Sequence, residues 1–93
     1  MVIGALLVDI HLPESCSLKA KRQHLRRLKD RLRNKLNVSI AEVGNNQLWQ
    51  RTTVGICMIA NEKRFVNQVL SKAVKQISEE NGIVILDYSM EFF

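Results

Sequence analysis

Ninety-three residues, 46% hydrophobic and 25% charged, suit a single domain with one two-layer core and exclude a disordered chain. No apolar run approaches the roughly 20 residues that a membrane-spanning helix needs. The net charge is +5, and nine of the fourteen Lys and Arg fall between Lys19 and Lys35 with Asp30 as the only acid, so the basicity is regional. Such a stretch has two readings, a surface for an anionic partner (RNA, DNA or a lipid headgroup) and a solvated helix face.

Val2 to Leu12 alternates with period two. Val2, Leu6, Val8, Ile10 and Leu12 are apolar and only Gly4 interrupts them, which predicts a strand with one face on a core. Pro13 ends it, and Ser17 is the expected N-cap of the helix that follows. That helix, Leu18 to Leu36, carries Leu18, Leu25, Leu28, Leu32 and Leu36 on its apolar side. A short strand, Asn37 to Val43, turns its Val38 and Ile40 inward, while Glu42 interrupts the inward parity and is expected to pair with a basic side chain of the helix or to stand where the strand leaves the core. Gly44-Asn45-Asn46 is a turn cluster. Arg51 to Ala60 forms the third strand, with Val54, Ile56, Met58 and Ala60 inward.

Asn61 is the expected cap of a second helix bearing Phe65, Val66, Val69, Leu70, Ala73, Val74 and Ile77 at helical spacing and ending at Asn81-Gly82. Ile83 to Phe93 makes the last strand, with Val84, Leu86, Tyr88, Met90 and Phe92 inward. The order β-α-β-β-α-β predicts one α+β domain over residues 1–93. It is a ferredoxin-like two-layer sandwich with an antiparallel sheet of order 4-1-3-2 and both helices on one face.

The segments HLPESCSLKAKR (His11 to Arg22) and SIAEVGNNQLWQR (Ser39 to Arg51) resemble the two signatures of the YlxP-like (DUF503) proteins, a family of small bacterial proteins. The resemblance covers essentially the whole chain. It implies a ferredoxin-like fold and no established activity. Genes of the family often stand beside translation and ribosome-maturation genes, which suggests RNA or ribosome work. Many members carry an acid in the turn where this chain has Gly44-Asn45-Asn46, so a role resting on that acid has no counterpart here.

Along the first helix Lys19, Arg22, Arg26, Lys29 and Arg33 fall in one stripe about 80° wide. The row is about 21 Å long at 1.5 Å per residue, enough to follow several backbone phosphates. Lys19, Lys21 and Arg22 also stand near the positive end of the helix dipole, where cations are disfavoured by a few tenths of a kcal/mol. An anion held at Ser15 to Lys19 by free N–H groups, the hydroxyls of Ser15 and Ser17 and the ammonium groups would offset that cost. The expected nucleic-acid site is therefore Ser15, Ser17, Lys19, Lys21, Arg22, Arg26, Lys29 and Arg33.

The open sheet face is the second candidate. Parity assigns Ile3, Leu7, Cys57, Ile59, Ile83 and Ile85 to it and no aromatic residue, which argues against base stacking on the sheet and for a homodimer surface. Asp9 and Arg51 are placed to pair across adjacent strands. Trp49, with Arg51 behind it, either covers the sheet end or anchors a partner. Those features define the alternative function, a protein-interaction or scaffold module.

Catalysis finds little support. His11, Cys16 and His24 miss the usual zinc spacings and no Gly-rich phosphate loop is present, so a non-enzymatic protein without cofactor or metal is expected. Cys16 and Cys57 form no CxxC motif, and Cys57, inside an apolar run, reads as a buried small hydrophobe. The opening MVIGALLVDIHLP lacks a basic n-region, unlike a signal peptide. Together these give a cytoplasmic expectation.

Overall fold

Alternation puts Leu6, Val8 and Ile10 of the first strand on one face, and all three lose their whole surface to the core. In the computed structural model, which describes residues 1–93, this strand is β1 (Val2–His11). It is followed by α1 (Leu18–Lys35), β2 (Ser39–Gly44), β3 (Arg51–Ala60), α2 (Lys63–Ser78) and β4 (Val84–Phe92). The strands form one sheet in the order β2-β3-β1-β4, and every neighbouring pair is antiparallel. This is the ferredoxin-like arrangement, with β1 and β3 central and β2 and β4 at the edges. The core combines the inward residues of β1 and β3 with Leu25, Leu28 and Leu32 of α1 and Val66, Val69, Leu70, Ala73 and Ile77 of α2.

Gly4, the one break in the apolar alternation, is explained by α2. A Cβ at this position would collide with the Val66 side chain and stand 2.8 Å from Leu70 Cδ1. The absence of a side chain lets the helix settle on β1.

Four local expectations are corrected. Asn61 is not the cap of α2: the N-cap is Glu62, and its side chain makes no capping bond. Phe65, expected on the apolar stripe of α2, is exposed. Cys57 is exposed too, as its parity and not its apolar surroundings indicate, and neither it nor Cys16 is in a disulfide. The fourth concerns β4. A register irregularity opposite Asp9 and Ile10 pairs Ile10 with Ile85 but Asp9 with Asp87, so parity changes at Leu86. Ile83 is therefore buried and Ile85 packs against the core, while Val84 and Leu86 are half exposed. The open face accordingly lacks both isoleucines. Tyr88 shares a face with Val8, its partner in register, but on this edge strand is itself half exposed.

No helix is long and apolar enough to cross a membrane.

Candidate functional site

α1 begins where Ser17 accepts a hydrogen bond on Oγ from the Ala20 N–H at 3.0 Å, the geometry of an N-cap. The Ser15 hydroxyl, which is buried, donates to the Ser17 carbonyl at 3.2 Å. Both hydroxyls proposed for an anion are thus engaged in building the turn.

Lys21 departs furthest from expectation. It is 1% exposed, and its Nζ lies 2.8 Å from Glu42 Oε2. The same ammonium donates to the carbonyls of Asn45 (2.9 Å), Asn46 (3.2 Å) and Arg51 (3.3 Å). Its three N–H groups are shared among four acceptors, leaving none for a ligand. Glu42 Oε2 also accepts from the Thr52 hydroxyl at 2.6 Å, and Thr52 is fully buried. A buried charge needs this degree of satisfaction. Lys21 therefore leaves the anion-binding set and becomes the bolt between α1 and the β2–β3 hairpin. The anion site expected at Ser15 to Lys19 is not assembled.

Arg27 lines a cleft with His24, Arg31 and Glu80, and most of the other cations of α1 divide between two sides. Toward α2, Arg31 pairs with Glu80 and Lys35 donates to Gln76 Oε1 at 3.1 Å. Toward β2, Arg22, Arg26, Lys29 and Arg33 line an open groove of about 350 Å³ with Leu25, Asp30 and Glu42. Arg33 Nη2 donates to the Ile40 carbonyl at 3.2 Å, which seats the far end of the row against β2. Arg22, Arg26 and Arg33 are exposed, Lys29 is half buried, and Lys19 is exposed on the first turn. Glu42 is already neutralised by Lys21, so Asp30 is the one uncompensated acid of the groove. Four of the five residues in the predicted stripe thus line one groove.

The hairpin loop after β2 is firmly built. Asn45 takes φ +58°, its side-chain amide donates to Thr53 Oγ1 at 3.0 Å, and its carbonyl accepts from the Leu48 N–H. The Gln50 carbonyl accepts from the Leu12 N–H at 2.8 Å and lies 2.9 Å from His11 Nδ1, and Gln50 Nε2 donates to the Pro13 carbonyl at 3.3 Å. Between these anchors Leu48 and Trp49 stand about half exposed, at 49% and 55%. They share a cleft of about 490 Å³ with His11, Gln47, Gln50 and Arg51. Trp49 thus stands at the end of β1 and β3 with about half of its surface open.

Arg51 is divided between the two faces of the sheet. Its carbonyl accepts from Lys21, and its guanidinium grips Asp9 through Nε–Oδ1 at 3.1 Å and Nη2–Oδ2 at 2.5 Å. The Asp9 carboxyl is held below its ordinary value of 3.8, first by this hydrogen bond and then by the Arg51 charge, with burial opposing. The expected cross-strand pair is present, and it occupies the Arg51 side chain. His11 is taken up by the Gln50 carbonyl, and His24 lies over Gly82, where a Cβ would meet its ring at 3.4 Å.

On the open face a shallow apolar groove of about 310 Å³ runs between Leu7 and Val43 over Gly55, with Ala5, Ala41 and Cys57 beside it. Charges stand only at its margins, where Asp87 and Glu91 of β4 lie in register with Asp9 and Ala5.

Known proteins fit this picture. The sheet and helices superpose on a de novo designed protein, Ferredog-Diesel, with a TM-score of 0.52 at 11% identity over 96% of this chain and 83% of that one. A C-terminal segment of the alpha subunit of aIF2 from Pyrococcus abyssi gives 0.51 at 18% identity over 97% of this chain and 48% of that one. Both likenesses show the fold alone. In sequence, the chain is 39% identical over 62 residues, 67% of each protein, to a protein of Bacillus subtilis (strain 168) described as "Uncharacterized protein YlxP". The model of the family described as "Protein of unknown function (DUF503)" matches residues 3–90. With the family model spanning nearly its whole length, this chain belongs to the DUF503 family.

Proposed function

We propose that the protein is a non-enzymatic binder of RNA or a ribonucleoprotein, ribosome-related and cytoplasmic, working through the groove-side cations of α1. The observation that carries this reading is the separation of those cations from the rest. Lys21, Arg31 and Lys35 bond to other groups of the chain and, like Lys19 and Arg27, do not line the groove, and Arg33 lines it while also donating to the Ile40 carbonyl. Arg22, Arg26, Lys29 and Arg33 line one groove whose remaining free acid is Asp30. Arg suits this task because its planar fork matches phosphate oxygens. Each phosphate contact releases counterions, so affinity must fall with salt, with a log–log slope of about −0.7 per contact for a single strand.

The test is a salt titration of RNA binding by the wild type and by a variant with Arg22, Arg26, Lys29 and Arg33 changed to Glu, its folding confirmed by circular dichroism. Binding by the wild type should weaken steeply with salt, and the variant should lose it. An unchanged affinity in the folded variant removes the helix from the function.

A second observation concerns the sheet. The apolar groove around Gly55 is bordered by Asp9, Asp87 and Glu91 against Arg51 alone, so the open face repels nucleic acid and suits a protein surface. We assign it to a second copy of this chain, giving a homodimer that leaves both α1 helices free. Sedimentation across the micromolar range checks it, and a monomer throughout removes the dimer.

A further inference from the structure

The basic groove and the Trp49 loop look like separate candidates in the sequence, one for nucleic acid and one for protein. The fold ties the two elements together through Lys21. At one end of the row Arg33 is tied to the Ile40 carbonyl of β2. Further along, Arg22 and Arg26 share the groove with Glu42, two residues before β2 ends at Gly44. Glu42 binds Lys21, and Lys21 in turn holds the carbonyls of Asn45, Asn46 and Arg51, which bracket the Trp49 loop. Through this buried pair the helix that carries the arginine row also holds the two ends of the Trp49 loop.

Trp49 has the properties of a platform. It is more than half exposed, on a loop whose backbone carbonyls are held at Asn45 by Lys21 and at Gln50 by the Leu12 N–H. A large, half-exposed aromatic ring has little internal reason to be there, since the core is complete without it. Its indole lines a cleft with His11, Gln47, Leu48, Gln50 and Arg51 at the loop end of the sheet, and its π-face could receive a nucleobase where the aromatic-free open sheet face could not. Stacking on such a ring tolerates any base but requires that the base be unpaired.

Resting on the proposed role of α1, we infer that the arginine row and Trp49 form one site for single-stranded RNA, in which the row follows the backbone phosphates and one unpaired base stacks on Trp49. The site discriminates single strands from duplexes, since a duplex presents phosphates to the row but no free base to the indole. Lys21 acts as the positioning residue, fixing the distance between the two parts without touching the ligand.

Trp49 is the only tryptophan, so its fluorescence reports directly on the event. The experiment titrates the full chain with an oligoadenylate, and with the same strand annealed to oligouridylate, at low salt. It uses the wild type, Trp49→Ala and Trp49→Phe. Single-strand binding should quench the indole emission, and Trp49→Ala should weaken it about tenfold or more. Trp49→Phe should fall between, and the salt dependence should be unchanged because stacking releases no counterions. Equal binding of single strand and duplex, with no quenching and no effect of Trp49→Ala, overturns this inference while leaving α1 as a phosphate-binding helix, and points Trp49 to a protein partner. Failure of the wild type to bind either nucleic acid overturns both.

Discussion

α2 and α1 cover the same face of one sheet and are attached to it differently. α2 buries Val66, Val69, Leu70, Ala73 and Ile77 and approaches β1 so closely that Gly4 must lack a side chain. α1 buries three leucines together with the ammonium of Lys21. A helix given over to surface cations has few positions left for apolar anchorage, and this one substitutes a polar bolt at its N-terminal end. The bolt does something a leucine cannot. By gathering three carbonyls and a carboxylate it fixes the course of the loop that presents Trp49 as well as the helix itself.

Replacing Lys21 by Met tests that contrast with the largest expected effect. The thioether fills the volume but leaves Glu42 with only the Thr52 hydroxyl and takes the ammonium donor from three carbonyls, and removing one partner of a buried pair costs about 3–5 kcal/mol. This is a large share of the stability of a small domain and is read from the midpoint of urea unfolding. The exposed neighbour Lys19→Met should shift that midpoint little. Equal effects at the two positions would erase the distinction between the helices.

The α2 side is tested by Gly4→Ala, where overpacking rather than loss of a bond is at stake. The added methyl group forces Val66 and Leu70 aside, and such insertions cost about 1–3 kcal/mol. Thermal unfolding should show the loss without any change in RNA binding. A neutral substitution would mean that α2 rides more loosely on β1 than its buried residues imply.

Much of this architecture is legible in the sequence. Period-two and helical spacing gave each element its type, and Ser17 its cap. Lys21 was hidden by its company: between Lys19 and Arg22 it looks like one more surface cation. Its spacing nevertheless puts it on the stripe of Leu25, Leu28 and Leu32, and Glu42 likewise breaks the inward parity of β2. Two opposite charges, each on an inward face, were the signal of a buried pair. In β4 the apolar residues change parity between Ile85 and Tyr88, a trace of the irregularity at Leu86, but a run apolar on both parities conceals the change. The attachment of the Trp49 loop to α1 could not be read, since it depends on contacts between residues 24 to 30 positions apart.

The smallest expected effect separates the two faces at a single residue. On the core side the Arg51 carbonyl receives a buried ammonium, and on the open side its half-exposed guanidinium pairs with Asp9, where water and salt screen the attraction. Asp9→Asn should therefore lower the melting temperature at neutral pH by only about 2 °C or less. The pH dependence has a definite sign. Because Arg51 depresses the folded-state pKa of Asp9 below 3.8, the pair's contribution is complete above the unfolded value and disappears as pH falls through the folded one. Melting curves of wild type and Asp9→Asn should accordingly differ near neutrality and converge in strong acid. Asp87, opposite Asp9 in register, opposes the pair through like charge, so Asp87→Asn should widen the gap. A loss at Asp9 as large as that at Lys21 would show that the open side is shielded from water, as it would be beneath a second copy of the chain.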